Sequence, residues 1–362
     1  MKTDEPHPGE IKRVVVRGTN WVGDAVMTVP ALRELRRVLP HAHITLVSRP
    51  GTADVFIDAD FIDEVLVYDR TGLSSAWKQA SEWRRRRFDL ALLFQNAFEA
   101  AAIAFLARVP QRIGYDADRR GKLLTKAIPS PAWKDERHEI YYYLNLVAEL
   151  ERILDGASDV ESAGSIEPQF ALEVSADRQH RAKEFLREHG LHADAPLVLL
   201  CPGSINSRAK RWPAERYAAV ADHFAATGAS VALIGSPAEM EVSDQVCRSA
   251  LNHPIVLTGK TSVAEVTAII SVADVLITND TGPAHIGSAV GTPTLVIFGP
   301  TNPLTTRPFA PNADIMRQKP DCAPCMLRDC PIDHRCLTAI SPEEVFARAG
   351  AMMSRYPAEV TA

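Results

Sequence analysis

Three short stretches carry the residue types that chemistry needs. The first is "VVVRGTNWVGDAVMTVPAL", Val14 to Leu32, which sets a carboxylate, Asp24, just past a glycine-containing turn. Val14 to Val16 is a β-branched run, and Val26, Val29, Leu32 and Leu35 recur every three residues, so the order is strand, turn, helix. A dinucleotide-binding turn at such a place is usually Gly-x-Gly-x-x-Gly with an acid about 20 residues on. This one is Gly18-x4-Gly23, and the next strand, "HITLVSRPG", ends in Ser48 and Arg49. Asp24 is either an N-cap or first-turn acid that complements the helix dipole, or a carboxylate aimed into a cleft as a general base.

The second stretch is "CPGSINSRAKRWP", Cys201 to Pro213. Gly203, Ser204, Asn206 and Ser207 offer backbone, hydroxyl and amide donors, and Lys210 adds a point charge. Donors and a lysine beyond a strand end suit a diphosphate; alone, the same residues make an ordinary polar loop. The third is "TNDTGPAHIGSAVGTP", Thr278 to Pro293. Amides at Asp280, Thr281 and Gly282 would meet a second phosphate oxygen at a helix N-terminus, with His285 in the first turn. Asp280 is otherwise an N-cap and His285 packing. In "IGSPAE", Glu239 falls near the same edge, where a carboxylate can accept ribose hydroxyls.

The elements around these stretches alternate. "RVVVRG", "HITLVSR", "EVLVYD" and "LALLFQN" read as buried parallel strands, with helices at 25–39, 52–57, 73–86 and 97–107. "LDGASDVESAGSIEP", Leu154 to Pro168, reads as a linker. A helix at 175–189 follows, and then a second series of strands: "LVLLCPGS", "SVALIGS", "PIVLTGK", "DVLITND" and "TLVIFGP". The pattern predicts two doubly wound α/β domains facing each other across a cleft. Their expected limits are 1–165 and 166–340. Ser341 as N-cap and Pro342 at N1 open a closing helix over 341–362.

The chain has 362 residues, 40 Lys and Arg and 45 Asp and Glu, for a net charge of −5. That balance argues against nucleic acid as a partner. Residues 1–152 hold 23 basic against 21 acidic residues, the rest 17 against 24. The polar start "MKTDEPHPGE" has no apolar signal region, and the run Ala100–Ala107 is too short to span a membrane, so a cytoplasmic location is expected. "RRRR", Arg84 to Arg87, reads as a solvated helix end. The cluster "CAPCMLRDCPIDHRC" spaces Cys322, Cys325, Cys330 and Cys336 as Cys-x2-Cys-x4-Cys-x5-Cys with His334 inside. In a cytosolic protein this spacing reads as a structural zinc site sooner than as disulfides; the alternative is four reduced thiols on a loop.

Together, "WVGDAVMTVPALRELRRVLPHAHITLVSRP", "CPGS…AKRWP" and "TNDTGPAHIGSAVGTPTLVIFGPTNP" resemble the ADP-heptose:lipopolysaccharide heptosyltransferase family, in order and over nearly the whole chain. The resemblance implies a GT-B fold, with acceptor on the first domain and nucleotide sugar on the second. It implies inverting, metal-independent transfer from ADP-heptose to the inner-core heptose of lipopolysaccharide. Asp24 would be the general base and Lys210 the group that stabilises departing ADP. Ser204, Asn206, Glu239, Asp280, Thr281, Gly282 and His285 would line the donor site.

The acceptor carries phosphates and carboxylates, so candidate contacts are Arg17, Asn20, Arg49, Arg112, Arg119, Arg120 and Lys122. Each of these is otherwise a solvated surface charge. "QRIGYDADRRGKLLT" looks like the family's acceptor-side loop, and "RHEIYYYLNLV" reads as packing. A relative that glycosylates autotransporters binds iron through cysteines, so iron is the alternative to zinc at the cluster. A lipid acceptor implies peripheral association with the inner face of the inner membrane. Alternatives are a related transferase with another acceptor, or a non-catalytic nucleotide-sugar-binding assembly factor. A nucleotide-sugar epimerase would need a Gly-x-Gly-x-x-Gly turn and a Tyr-x3-Lys pair, neither of which occurs in suitable context.

Overall fold

The valine- and leucine-rich runs form two six-stranded parallel sheets in the computed structural model, which describes residues 8–159, 168–192 and 195–356. The chain divides into two compact units between Phe170 and Ala171. Most of the linker read at 154–168 lies outside the described residues. In the first unit the strands are β1 (Arg13–Arg17), β2 (His43–Ser48), β3 (Glu64–Val67), β4 (Leu90–Leu93), β5 (Gln111–Tyr115) and β6 (Lys126–Ile128). Their spatial order is β3-β2-β1-β4-β5-β6. The second unit has β7 (Leu197–Cys201), β8 (Ser230–Leu233), β9 (Ile255–Val256), β10 (Val275–Asn279), β11 (Thr294–Phe298) and β12 (Ala313–Arg317). Read from its other edge, its order is β9-β8-β7-β10-β11-β12, so the two units share one topology.

β1, β2 and β4 in the first unit, and β7, β10 and β11 in the second, are buried almost throughout. Helices cover both faces of such a sheet, which is why its strands read as continuous apolar runs. The order reverses between β1 and β4 and between β7 and β10. At such a switch point the loops leaving the carboxyl ends diverge and make room for a ligand. Arg17–Asp24 and Gln95–Asn96 stand at the first, and Cys201–Lys210 and Asn279–Gly282 at the second.

The helices of the first unit are α1 (Val22–Met27), α2 (Val29–Val38), α3 (Leu73–Arg86), α4 (Phe98–Leu106) and α5 (Glu139–Asp155). The helix expected at 25–39 is thus two. It starts earlier, with Trp21 as N-cap, and Thr28 separates α1 from α2 ahead of Pro30. Proline lacks the amide that would continue the helical ladder. The segment 52–57 holds only a short 3-10 turn, Ala53–Phe56. The expected acceptor-side loop, 111–125, opens with strand β5 and runs up to the edge strand β6.

In the second unit come α6 (Ala176–Glu188), α7 (Ala214–Ala226), α8 (Met240–Ser249), α9 (Val263–Ser271), α10 (Gly282–Ala289), α11 (Pro303–Thr306), α12 (Arg335–Thr338) and α13 (Pro342–Arg355). Ser341 and Glu344 form the capping box that opens α13. Val345, Ala349 and Met352 then join the core of the second unit beside Trp212, Tyr217 and Phe224, so the closing helix is part of that unit. Among the described residues no helix is long and apolar enough to cross a membrane.

One fully buried amide ties the second switch point together. Asn279, the last residue of β10, donates Nδ2 to the carbonyls of Pro202 (2.8 Å) and Gly203 (3.1 Å). Its Oδ1 accepts from the Trp212 amide (3.0 Å) and the Tyr217 hydroxyl (3.1 Å). A buried polar group that loses its partner costs about 1–3 kcal/mol. Asn279→Ala orphans several at once, so thermal unfolding should show one of the larger losses of any single substitution in this unit. Asn279→Asp should also destabilise, because it turns a donor toward two carbonyls into an acceptor. Wild-type melting of either variant would contradict the assignment.

Candidate functional site

Asp24 is the third residue of α1, half-buried, with Trp21 rather than Asp24 in the N-cap position. Its charge acts on the start of α5. The Glu139 carboxyl is held above its usual range, first by burial, against the pull of Lys134, and further by Asp24. The Tyr143 hydroxyl is likewise raised, mainly by burial and then by Asp24 and Glu139. Asp24 is therefore within electrostatic reach of Glu139. Glu139 was missed because "RHEIYYYLNLV" reads as a packing helix; an acid next to the N-cap His138 was the available signal.

Of the arginines expected as acceptor contacts, Arg17 and Arg120 are buried, Arg49 and Arg112 half-buried and Arg119 exposed. Arg17 is 3% exposed and donates Nη1 to the carbonyls of Gly18 (2.8 Å) and Val47 (3.2 Å) and Nη2 to Asn20 Oδ1 (3.2 Å). Burial and the neighbouring Arg49 bring its pKa down to about 10. Arg120 is completely buried; it donates Nε to Tyr115 O (2.9 Å), Nη2 to Asn96 Oδ1 (3.0 Å) and Nη1 to Gln95 O. Arg112 spends its guanidinium on the carbonyls of Leu123 (2.8 Å) and Val109 (2.5 Å). Arg119 and Lys122 are exposed. Arg49, one residue past β2, keeps a buried Nε without a hydrogen-bond partner, and so does Thr19 Oγ1, two residues past β1. Thr19 carried no signal in the sequence beyond its place in the turn.

In the second unit Lys210, in the loop after β7, reaches the end of β10. Its ammonium bonds Asp280 Oδ2 (2.8 Å) and the Asp280 carbonyl (3.1 Å), and its side chain stays one quarter exposed. Asp280 is 3% exposed and is not the N-cap; Thr281 holds that position, and its hydroxyl caps no first-turn amide of α10. Gly282 opens α10, and His285 is buried in its first turn. Ser204 is buried, and its carbonyl accepts from Arg211 Nη2 (2.9 Å), whereas Asn206 is exposed on the loop. Glu239 Oε2 accepts from the Ser236 amide and hydroxyl, both at 2.8 Å. Its Oε1 lies where a Cβ on residue 203 would stand, so Gly203 is required for the β7 and β8 loops to approach.

The cysteine segment docks on the same loop. Arg328 O accepts from the Ala209 amide (2.9 Å) and Ser207 Oγ (3.2 Å), and Asp329 pairs with Arg208 (2.7 Å). Cys322 is exposed, Cys325 and Cys330 half-buried, and Cys336 buried, all as free thiols. Among the described residues no three His, Cys, Asp or Glu groups converge in a way that could hold a metal ion. The zinc or iron expected there thus finds no ligand set. The spacing brought the thiols into one segment, but Cys336 turns inward with α12 onto the apolar core. Burial, and then the other three cysteines, raise its thiol.

The buried arginines yield a test. Arg120→Leu leaves the Gln95 carbonyl and Asn96 Oδ1 without this donor and Tyr115 O with the Ala117 amide alone, so urea unfolding should show a loss of about 2 kcal/mol or more. Arg120→Lys should recover only part of this, because an ammonium cannot reproduce the planar fork. A variant with unchanged stability would mean that Arg120 serves a ligand instead.

The profile of glycosyltransferase family 9 (heptosyltransferase) matches residues 76–335. Lipooligosaccharide heptosyltransferase 2 of Haemophilus influenzae is 28% identical over 313 residues, covering 84% of this chain and 88% of that protein. The structure of ADP-heptose lps heptosyltransferase II of E. coli aligns with a TM-score of 0.79 at 23% identity, over 95% of this chain and 99% of that one. A family 9 glycosyl transferase from Veillonella parvula aligns with a TM-score of 0.80 at 27% identity, over 95% and 97%. The repeated topology is therefore that of the GT-B fold, and the chain belongs to glycosyltransferase family 9, the heptosyltransferases.

Proposed function

We propose that this chain moves heptose from ADP-L-glycero-D-manno-heptose to the inner-core heptose of lipopolysaccharide; relatives of similar sequence are named lipooligosaccharide and lipopolysaccharide heptosyltransferase 2. The observation that carries this reading is the Lys210–Asp280 pair beside the N-terminus of α10, at the second switch point. A sugar hydroxyl becomes an adequate nucleophile only as its proton leaves. The Asp24 carboxylate takes that proton as the hydroxyl oxygen bonds to the anomeric carbon. The bond from that carbon to the β-phosphate oxygen breaks through an oxocarbenium-like state, and its electrons leave with ADP. A single displacement inverts the anomeric centre. The charge gained by ADP is met by the Lys210 ammonium and the amides at Thr281 and Gly282. Those groups supply the stabilisation that a metal ion supplies elsewhere, so transfer proceeds without one. Glu239 is assigned to the ribose, with Ser204, Asn206 and His285 around the nucleotide sugar.

The acceptor is anionic. Arg49 Nε and Thr19 Oγ1, both buried without a partner, suit an oxyanion, with Asn20 beside them. Arg17, Arg112 and Arg120 shape that surface through the carbonyls they hold. Because the acceptor is a lipid, the enzyme works at the inner membrane surface as a peripheral protein.

Mixing the chain with ADP-heptose and heptosyl-Kdo2-lipid A in EDTA should add one heptose mass to the acceptor. ADP-heptose binding without any mass gain would overturn the acceptor assignment. Asp24→Asn should lower turnover by about 100-fold or more while leaving ADP affinity nearly unchanged. Lys210→Ala should weaken both. Full turnover in Asp24→Asn would return Asp24 to the role of a first-turn acid.

A further inference from the structure

Thr301 belongs to none of the stretches read as donor-binding, yet it reaches the charged centre. It follows β11 through Gly299 and Pro300 and is 8% exposed. Its Oγ1 donates to Asp280 Oδ2 at 2.6 Å, the same oxygen that accepts from Lys210 Nζ at 2.8 Å. β11 lies next to β10 with Ile297 opposite Asn279, so the contact is set by sheet register as well as by the loop. The turn is fixed beyond it, where Asn302 caps α11 by accepting from the Leu304 amide at 3.1 Å.

We infer that Thr301 is a positioning residue that sets how the Lys210 charge is presented to the leaving diphosphate; this rests on the donor reading above. Two effects follow from one hydrogen bond. The first is geometric: an oxygen held by donors from two different strand ends fixes the carboxylate rotamer, and so fixes the ammonium that leans on it. The second is electrostatic. A hydroxyl that donates to Asp280 draws on the same lone pairs that quench the lysine charge, leaving more of that charge for an incoming phosphate. Without Thr301 the carboxylate closes more fully on Lys210, and phosphate must compete with it.

The test is calorimetric binding of ADP to the full chain and its variants, with turnover measured alongside. Thr301→Val should weaken ADP affinity about three- to tenfold. It should lower kcat by a larger factor than it raises KM for the donor, because the leaving group's charge is greatest in the transition state. Thr301→Ser keeps the hydroxyl and should restore both to within about twofold. In a Lys210→Ala background, Thr301→Val should cost almost nothing further. An equal loss in both backgrounds, or no rescue by serine, would make Thr301 a packing residue and overturn the inference. So would ADP affinity that falls in Lys210→Ala but not in Thr301→Val, which leaves the donor reading standing. If the parent chain bound no ADP, the donor reading would fail and this inference with it.

Discussion

The amide of Asn279 spans the ends of β7 and β10 and the entry to α7, and its four hydrogen bonds are made without exposure to water. The loop that leaves β7 can therefore take one course only. That course carries it past Gly203, where the Glu239 carboxylate lies against the backbone, to Lys210, whose ammonium is held by the residue next to Asn279. Position along the chain counts for little here: residues 203 and 210, 239, 280 and 301 come from four separate segments. A parallel sheet delivers all of them to one edge, because every strand ends on the same side. The cost of burying the Asp280 charge is offset by two donors on one oxygen, so the lysine is held in place before any ligand arrives.

The first unit repeats the topology but uses charge differently. Arg17 and Arg120 are buried, and their guanidiniums close turns by donating to backbone carbonyls at the strand ends. Arg120 links the end of β4 to the end of β5 through Gln95, Asn96 and Tyr115. Such arginines are scaffolding for the surface around Asp24, and their positive charge still biases that surface toward anions. The groups left without partners are fewer and more specific: Thr19 and Arg49, at the ends of neighbouring strands.

Much of this was legible in the residues. The two sheets follow from apolar runs alternating with helical spacing. Helix limits at α3 and α6, and the start of α13, fall within a residue or two of their expected places, because caps and periodicity agree there. What failed to show has physical causes. β5 and β6 were hidden because polar and glycine residues fill a short edge pairing. The burial of Arg17 and Arg120 was invisible because a guanidinium with every donor satisfied has the same sequence signature as a solvated one. Thr301 and Glu139 act through contacts formed only when distant segments meet. The cysteine spacing resembled a ligand set, yet α12 turns one thiol into the core.

The account turns on where a diphosphate sits. A crystal structure of the chain with ADP measures this directly. The prediction is a β-phosphate oxygen within about 3.2 Å of Lys210 Nζ and of an amide at Thr281 or Gly282, with the ribose hydroxyls at Glu239. Asp280 should still accept from Thr301. ADP bound at another edge of the sheet, or Lys210 still closed on Asp280 with no phosphate oxygen within about 5 Å, would contradict the assignment of the donor site.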